Sequence, residues 1–164
     1  MNDLRTFLHG LPAFERFNER QLDNLLAQLR LKDFEPGHRI VVQDSQGPAL
    51  YIIVSGTVEV TRHETIGGEE QEAYDARDGE VIGLLSLVSN MPSPETCTAK
   101  TKVVAAELTP ERYHALYLLA PAVGHQLQYM VAVQLARDLQ QKNKALRKGL
   151  AQLKPASLLE RLFG

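Results

Sequence analysis

The sequence predicts a mainly β protein with flanking helices: an antiparallel double-stranded β-roll, jelly-roll-like, followed by a long C-terminal helix. Three patterns carry that expectation. Between Leu31 and Leu108, short runs rich in β-branched residues recur at regular spacing, separated by turn signals such as Pro36-Gly37, Ser55-Gly56 and Gly67-Gly68. On either side of this region the apolar residues recur three and four apart, the spacing of an amphipathic helix. Proline and glycine mark most of the boundaries between these segments. The expected organisation is a helical segment over 1–30, a roll over 31–108, hinge and dimerisation helices over 109–153 and an apolar tail over 154–164.

Each element follows from its residues. Leu11, Phe14 and Phe17 are three apart behind Pro12, which suits a short helix. Asn18 is a good N-cap for a second helix running to Leu31, with Leu22, Leu25, Leu26 and Leu29 on one face. The period then changes. Arg39 to Gln43 carries Ile-Val-Val, Leu50 to Val54 is a second run before Ser55-Gly56, Thr57 to Thr61 alternates, and Gly67-Gly68 marks a hairpin tip before the returning strand QEAYDAR. Glu95 to Lys100 and Lys102 to Leu108 read as the last two strands. Thr109 caps the next helix with Pro110 in its first turn, and Pro121 begins the long helix, expected to run to about Gly149.

Composition narrows the function classes. A chain of 164 residues supports one domain with a proper core, and 44% hydrophobic with 23% charged residues is ordinary for a globular protein. A formal net charge of -2 gives no electrostatic reason to expect nucleic acid. The N-terminus has neither a long apolar run nor a basic leader, so no signal peptide or membrane span is read, and a cytoplasmic location is expected. The lone Cys97 excludes an internal disulfide and a four-cysteine metal site, and reads as a small buried residue. His9, His38, His63, His114 and His125 are scattered without a His-x-His pair, and no nucleophilic triad or phosphate loop is present. The chain is therefore read as a non-enzyme without metal or cofactor.

The stretch Asp78 to Ala99 is the densest in information. Gly79 and Gly83 bracket a tight passage, Leu84, Leu85 and the residues to Val88 suffice for one buried helical turn, and Pro92 and Pro94 end it. This order, strand, glycine turn, single helical turn, loop and strand, resembles the phosphate-binding cassette of the cyclic-nucleotide-binding domain family. Ile82-Gly83-Leu84 stands where the family has Phe-Gly-Glu, Pro92-Ser93 where it has Pro-Arg, and Thr96 and Ala99 where it has Thr and a later Ala. The likeness extends through Pro36-Gly37, Gly47, Tyr51-Ile52-Ile53, Ser55-Gly56, Val58, Val60 and Asp78-Gly79. Asp44 replaces a Gly that the family often has, and Asp tolerates the left-handed geometry such a turn needs.

The resemblance implies a ligand pocket lined by Ile82, Gly83, Leu84, Leu85, Pro92, Ser93 and Thr96. In the family the Glu holds the ribose hydroxyl and the Arg pairs with the cyclic phosphate. Here both positions are uncharged, being Leu84 and Ser93, and Glu95 stands beside the expected phosphate and would repel it. Arg39, Arg62 and Arg77 are the candidates for a substitute arginine, and the sequence alone places none of them. The expectation is a regulatory or adaptor module with a degenerate cassette. The alternative is a sensor that binds a cyclic nucleotide or a less charged effector in the roll.

The C-terminal third supplies the expected partners. Leu127, Val131 and Leu135 are four apart and Leu139 and Leu146 seven apart, a pattern that resembles the helix through which bacterial regulators of this family form parallel homodimers. A helix packed on its own roll gives the same pattern. Only 15 residues follow Gly149, too few for a helix-turn-helix, so operator DNA is not an expected partner. In the tail, Pro155 breaks the helix and Leu158, Leu159, Leu162 and Phe163 cluster. That cluster either folds back on the protein or docks a partner protein.

Overall fold

The computed structural model describes residues 2–63 and 71–152. By their internal contacts the chain divides into two compact units, residues 1–129 and 130–164. The first begins with α1 (Asn2–His9), a single 3-10 turn over Pro12–Phe14 and α2 (Glu19–Gln28). The roll follows as β1 (Arg30–Phe34), β2 (Arg39–Val41), β3 (Leu50–Ser55), β4 (Val58–His63), β5 (Gln71–Ala76), β6 (Val81–Ile82), the short helix α3 (Leu84–Ser89), β7 (Thr96–Ala99) and β8 (Val103–Leu108). Then come α4 (Pro110–Leu119) and α5 (Pro121–Gln152), whose residues from Met130 are the described part of the second unit.

All strand pairs are antiparallel, in two four-stranded sheets ordered β1-β8-β3-β6 and β2-β7-β4-β5. This is the double-sheet roll that the strand spacing predicts. Its core lies between the sheets: Tyr51, Ile53, Ile82, Val103 and Ala105 from one, and Val41, Val58, Val60, Cys97 and Ala99 from the other. The period of two explains the selection, since Tyr51 and Ile53 point inward while Leu50 and Ile52 take the opposite face. That second face is covered as well, because Leu50 and Ile52 are fully buried, as are Leu8, Leu22, Leu25 and Leu116 of the helices. Among the described residues no helix is long and apolar enough to cross a membrane.

Three local expectations are corrected. The second helix stops at Gln28 and not at Leu31, because Arg30 to Phe34 pair with Glu107 to Val103 of β8 and leave Leu29 extended as the C-cap. Its start is as expected, with Asn18 and Gln21 forming a reciprocal capping box. The Leu11–Phe17 segment makes one 3-10 turn and no α-helix. Helix α1, inside the expected helical segment over 1–30 but not assigned to particular residues there, is tied down by Arg5, which pairs with Glu19 and Asp23 of α2. The expected hairpin tip at Gly67-Gly68 lies outside the described residues.

One buried charge stands in the β1/β8/β3 sheet. Glu107 is paired in register with both Arg30 and Tyr51, and its Oε1 accepts from the Tyr51 hydroxyl at 3.1 Å and from Lys32 Nζ at 2.8 Å. Burial, and then the neighbouring carboxylate, push the Tyr51 hydroxyl well above the usual phenol range. Replacing Glu107 by Ala strands the Tyr51 hydroxyl in the core, and a loss of about 1–3 kcal/mol is expected in urea unfolding. Glu107→Gln, which keeps an acceptor, is expected to lose less.

Candidate functional site

The cassette is built by two glycines against β3. Gly79 has φ +87° and donates its N–H to the Ile53 carbonyl at 2.7 Å, which brings the chain back along the sheet. Gly83 has φ +77°, and a Cβ there would lie 2.3 Å from the Ala49 carbonyl oxygen. No other residue type fits that approach without moving the backbone. Gly83 is the N-cap of α3, six residues long, which ends at Asn90 in the left-handed conformation before Pro92 and Pro94 prevent any continuation. Within α3, Leu84, Ser86 and Leu87 are buried and Leu85 is partly exposed. Ile82, on β6, is in the inter-sheet core.

The loop after α3 closes on itself and on the β2–β3 connection. Pro92 is exposed, whereas Ser93 is only 3% exposed. The Asp44 N–H donates to the Ser93 carbonyl at 2.8 Å, and the Ser93 N–H donates to the Ser45 carbonyl at 3.0 Å. Asp44 sustains this approach with φ +64°, the left-handed geometry expected at that position. The Ser93 hydroxyl donates to the Glu95 carbonyl at 2.8 Å and lies 3.3 Å from the Glu95 N–H. The Thr96 hydroxyl accepts the Gln43 N–H at 2.9 Å, so both hydroxyls of this loop are engaged within the chain.

Register decides what Glu95 faces. β4 and β7 pair Val58 with Ala99, Val60 with Cys97 and Thr61 with Thr96. Val58, Val60, Cys97 and Ala99 form an inward row in the core. One step further on the same face lie Arg62 and Glu95, and Arg62 Nη2 reaches Glu95 Oε1 at 3.2 Å, with the two side chains 29% and 25% exposed. The Glu95 charge is felt at Cys97, whose thiol is pushed up to about 12, first by burial and then by that carboxylate. Such a thiol is inert. Arg39 and Arg77, the other candidate arginines, are exposed. Arg62 Nε and Ser86 Oγ are buried and have no hydrogen-bond partner among the described residues.

On α5 the apolar positions divide. Leu127 is 1% and Val131 9% exposed, already covered within one chain, whereas Leu135, Leu139 and Leu146 are 47%, 62% and 61% exposed. The tail cluster, Leu158, Leu159, Leu162 and Phe163, lies outside the described residues. Sequence reasoning left Arg62 unplaced and did not single out Ser86, Gln43 or Ser45. Arg62 had one available signal, its spacing of two from Val60 and four from Val58 on an alternating strand.

A family model described as the cyclic nucleotide-binding domain matches residues 31–118. The chain is 29% identical, over 73% of its length, to a cAMP-dependent protein kinase regulatory subunit of Yarrowia lipolytica, and spans 30% of that protein. It superposes on the catabolite activator protein of Thermus thermophilus with a TM-score of 0.67 at 26% identity, covering 83% of this chain and 62% of that one. A third neighbour is the regulatory subunit of a cAMP-independent protein kinase A from Trypanosoma brucei, a triple mutant bound to cAMP in its A site. It matches with a TM-score of 0.65 at 26% identity, over 90% of this chain and 50% of that one. The chain thus spans less than two thirds of these proteins.

The glycine geometry yields a direct test. Gly83→Ala combines a positive φ with a backbone clash, and is expected to lower stability by at least about 1–3 kcal/mol. Gly37→Ala has a similar φ of +88° with nothing within 4 Å of the added Cβ, so its loss should be the smaller of the two. Thermal melts of the two variants beside the parent check the order.

Proposed function

Because the chain belongs to the cyclic nucleotide-binding domain family, we propose that it is a non-catalytic regulatory module whose cassette is closed by its own side chains and whose output runs through protein–protein contacts. The observation that carries this reading is the state of position 93. Where the family places its phosphate-binding arginine, this chain has a buried serine whose hydroxyl is turned onto the Glu95 backbone. The adjoining Glu95 carboxylate brings negative charge to the place an anion would take, and Leu84 offers no acceptor for a ribose hydroxyl. The relatives support a regulatory role, since a kinase regulatory subunit and a catabolite activator are among them.

The output elements are proposed to be the C-terminal helix and tail. In a protein of this kind a roll and a helix are coupled when an effector favours one helix arrangement; with the cassette closed, a partner protein takes over that bias. Leu135, Leu139 and Leu146 are exposed along α5 and make the seam of a parallel homodimer, with Leu127 and Val131 excluded from it because one chain already covers them. Leu158, Leu159, Leu162 and Phe163 are the proposed docking segment for a partner. On this reading, residues 1–30 and 31–108 are scaffold and roll, and 109–153 hinge and dimerisation helices, in a cytoplasmic protein.

A second reading is favoured by the neutral pairing of Arg62 with Glu95: a sensor for an uncharged effector. The trypanosomal relative is the regulatory subunit of a kinase described as cAMP-independent, solved as a triple mutant bound to cAMP in its A site. Calorimetric titration with cyclic AMP, cyclic GMP and cyclic di-GMP separates these possibilities from ordinary nucleotide binding. No saturable heat is expected from any of the three, and micromolar binding of one overturns the closed cassette. For the seam, Leu139→Lys with Leu146→Lys is expected to turn a dimer into a monomer in sedimentation equilibrium; a parent that is monomeric at all concentrations contradicts it.

A further inference from the structure

Arg62 ends an inward-facing row that is otherwise apolar. Val58, Val60, Cys97 and Ala99 fill that row between the sheets, and a guanidinium at its end is costly unless its donors are satisfied. A guanidinium has five N–H donors. Nη2 reaches Glu95 at 3.2 Å, longer than the roughly 2.7–2.9 Å usual for a charge-assisted bond. The buried Nε–H has no partner among the described residues. A bidentate fork is what an arginine offers to a phosphate or a carboxylate, and among the described residues the Nε side of this one is unused. The same cassette holds a second buried donor without a partner among the described residues, the Ser86 hydroxyl of α3.

We propose that Arg62 is a masked oxyanion-recognition residue of the roll and that Glu95 is its intramolecular mask. The Glu95 carboxylate occupies the guanidinium that a phosphate-bearing small molecule would engage, and it sets the charge of the cassette rim to zero. Neutralising or withdrawing Glu95 leaves Arg62 with both its Nη and its Nε face for an oxyanion. Arg62 thereby does from β4 what an arginine in the loop after α3 would do. Glu95 is the specificity-determining residue, excluding anions while it is charged and paired.

This inference rests on the closed-cassette reading, and the experiment separates the two. Wild type, Glu95→Gln and Glu95→Gln with Arg62→Met are titrated calorimetrically with cyclic AMP and melted with inorganic phosphate as the minimal probe. Glu95→Gln is expected to bind cyclic AMP at least tenfold more tightly than wild type and to melt higher in phosphate, and Arg62→Met is expected to abolish both gains. Should Glu95→Gln lose its cooperative melt, Glu95→Ala replaces it, position 95 being partly exposed. Wild type and the position-95 variants all failing to bind overturns the mask and leaves the closed cassette standing. Wild type binding as tightly as Glu95→Gln overturns both.

Discussion

The register of β7 against β4 is the constraint from which the site follows. With Val60 opposite Cys97, the next inward pair is Arg62 and Glu95, and the outward pair between them is Thr61 and Thr96. A slip of one residue would turn Val58, Val60, Cys97 and Ala99 out of the core, so burial of that row fixes the register strongly. β7 also pairs with β2, through Arg39 with Thr98 and Val41 with Cys97. The four residues Thr96–Ala99 therefore hold the loop after α3 against two neighbours at once, and Gln43, just past β2, takes the Thr96 hydroxyl. The position of Glu95 is a consequence of core packing, and its partner is whatever residue β4 carries two places beyond Val60.

Electrostatics then decide what the cassette recognises. An oxyanion needs donors that are not already used, in surroundings that do not repel it. Ser93 and Thr96 have their hydroxyls committed to the chain, and the arginine nearest the loop is neutralised by Glu95. The buried Glu107 of the other sheet shows the contrasting solution, since its single Oε1 collects both a tyrosine hydroxyl and an ammonium group. There the charge is satisfied from two sides and reads as scaffold. At Arg62, Nη2 meets Glu95 while Nε has no partner among the described residues, and on that asymmetry the proposed recognition role rests.

Much of the fold was legible because its signals are local. Turn glycines at 56, 79 and 83 adopt positive φ, Asn18 caps α2, and the alternation of Thr57–Thr61 gives β4 its inward face. The end of α2 was misread because helical spacing continues through Leu29 while pairing with β8 claims the residues from Arg30. The short α1 does carry a helical period, with Leu4, Phe7 and Leu8 three and four apart, but over only eight residues, and it is secured by ion pairs to residues of α2 that no local pattern announces. At the candidate site, loss of the usual charges at Leu84 and Ser93 could be read directly. The Arg62–Glu95 pair could not, since the two residues are 33 apart and meet only through a strand register.

The cassette is proposed to be filled from within, with Arg62 held by Glu95. The most direct measurement is the Nε–Hε resonance of Arg62 by nuclear magnetic resonance, assigned against Arg62→Met and followed as cyclic AMP is added to the wild-type protein. In the wild type that resonance is expected not to move with cyclic AMP. A saturable shift of that resonance in the wild-type protein would show Arg62 free to engage the nucleotide and would contradict the closed cassette.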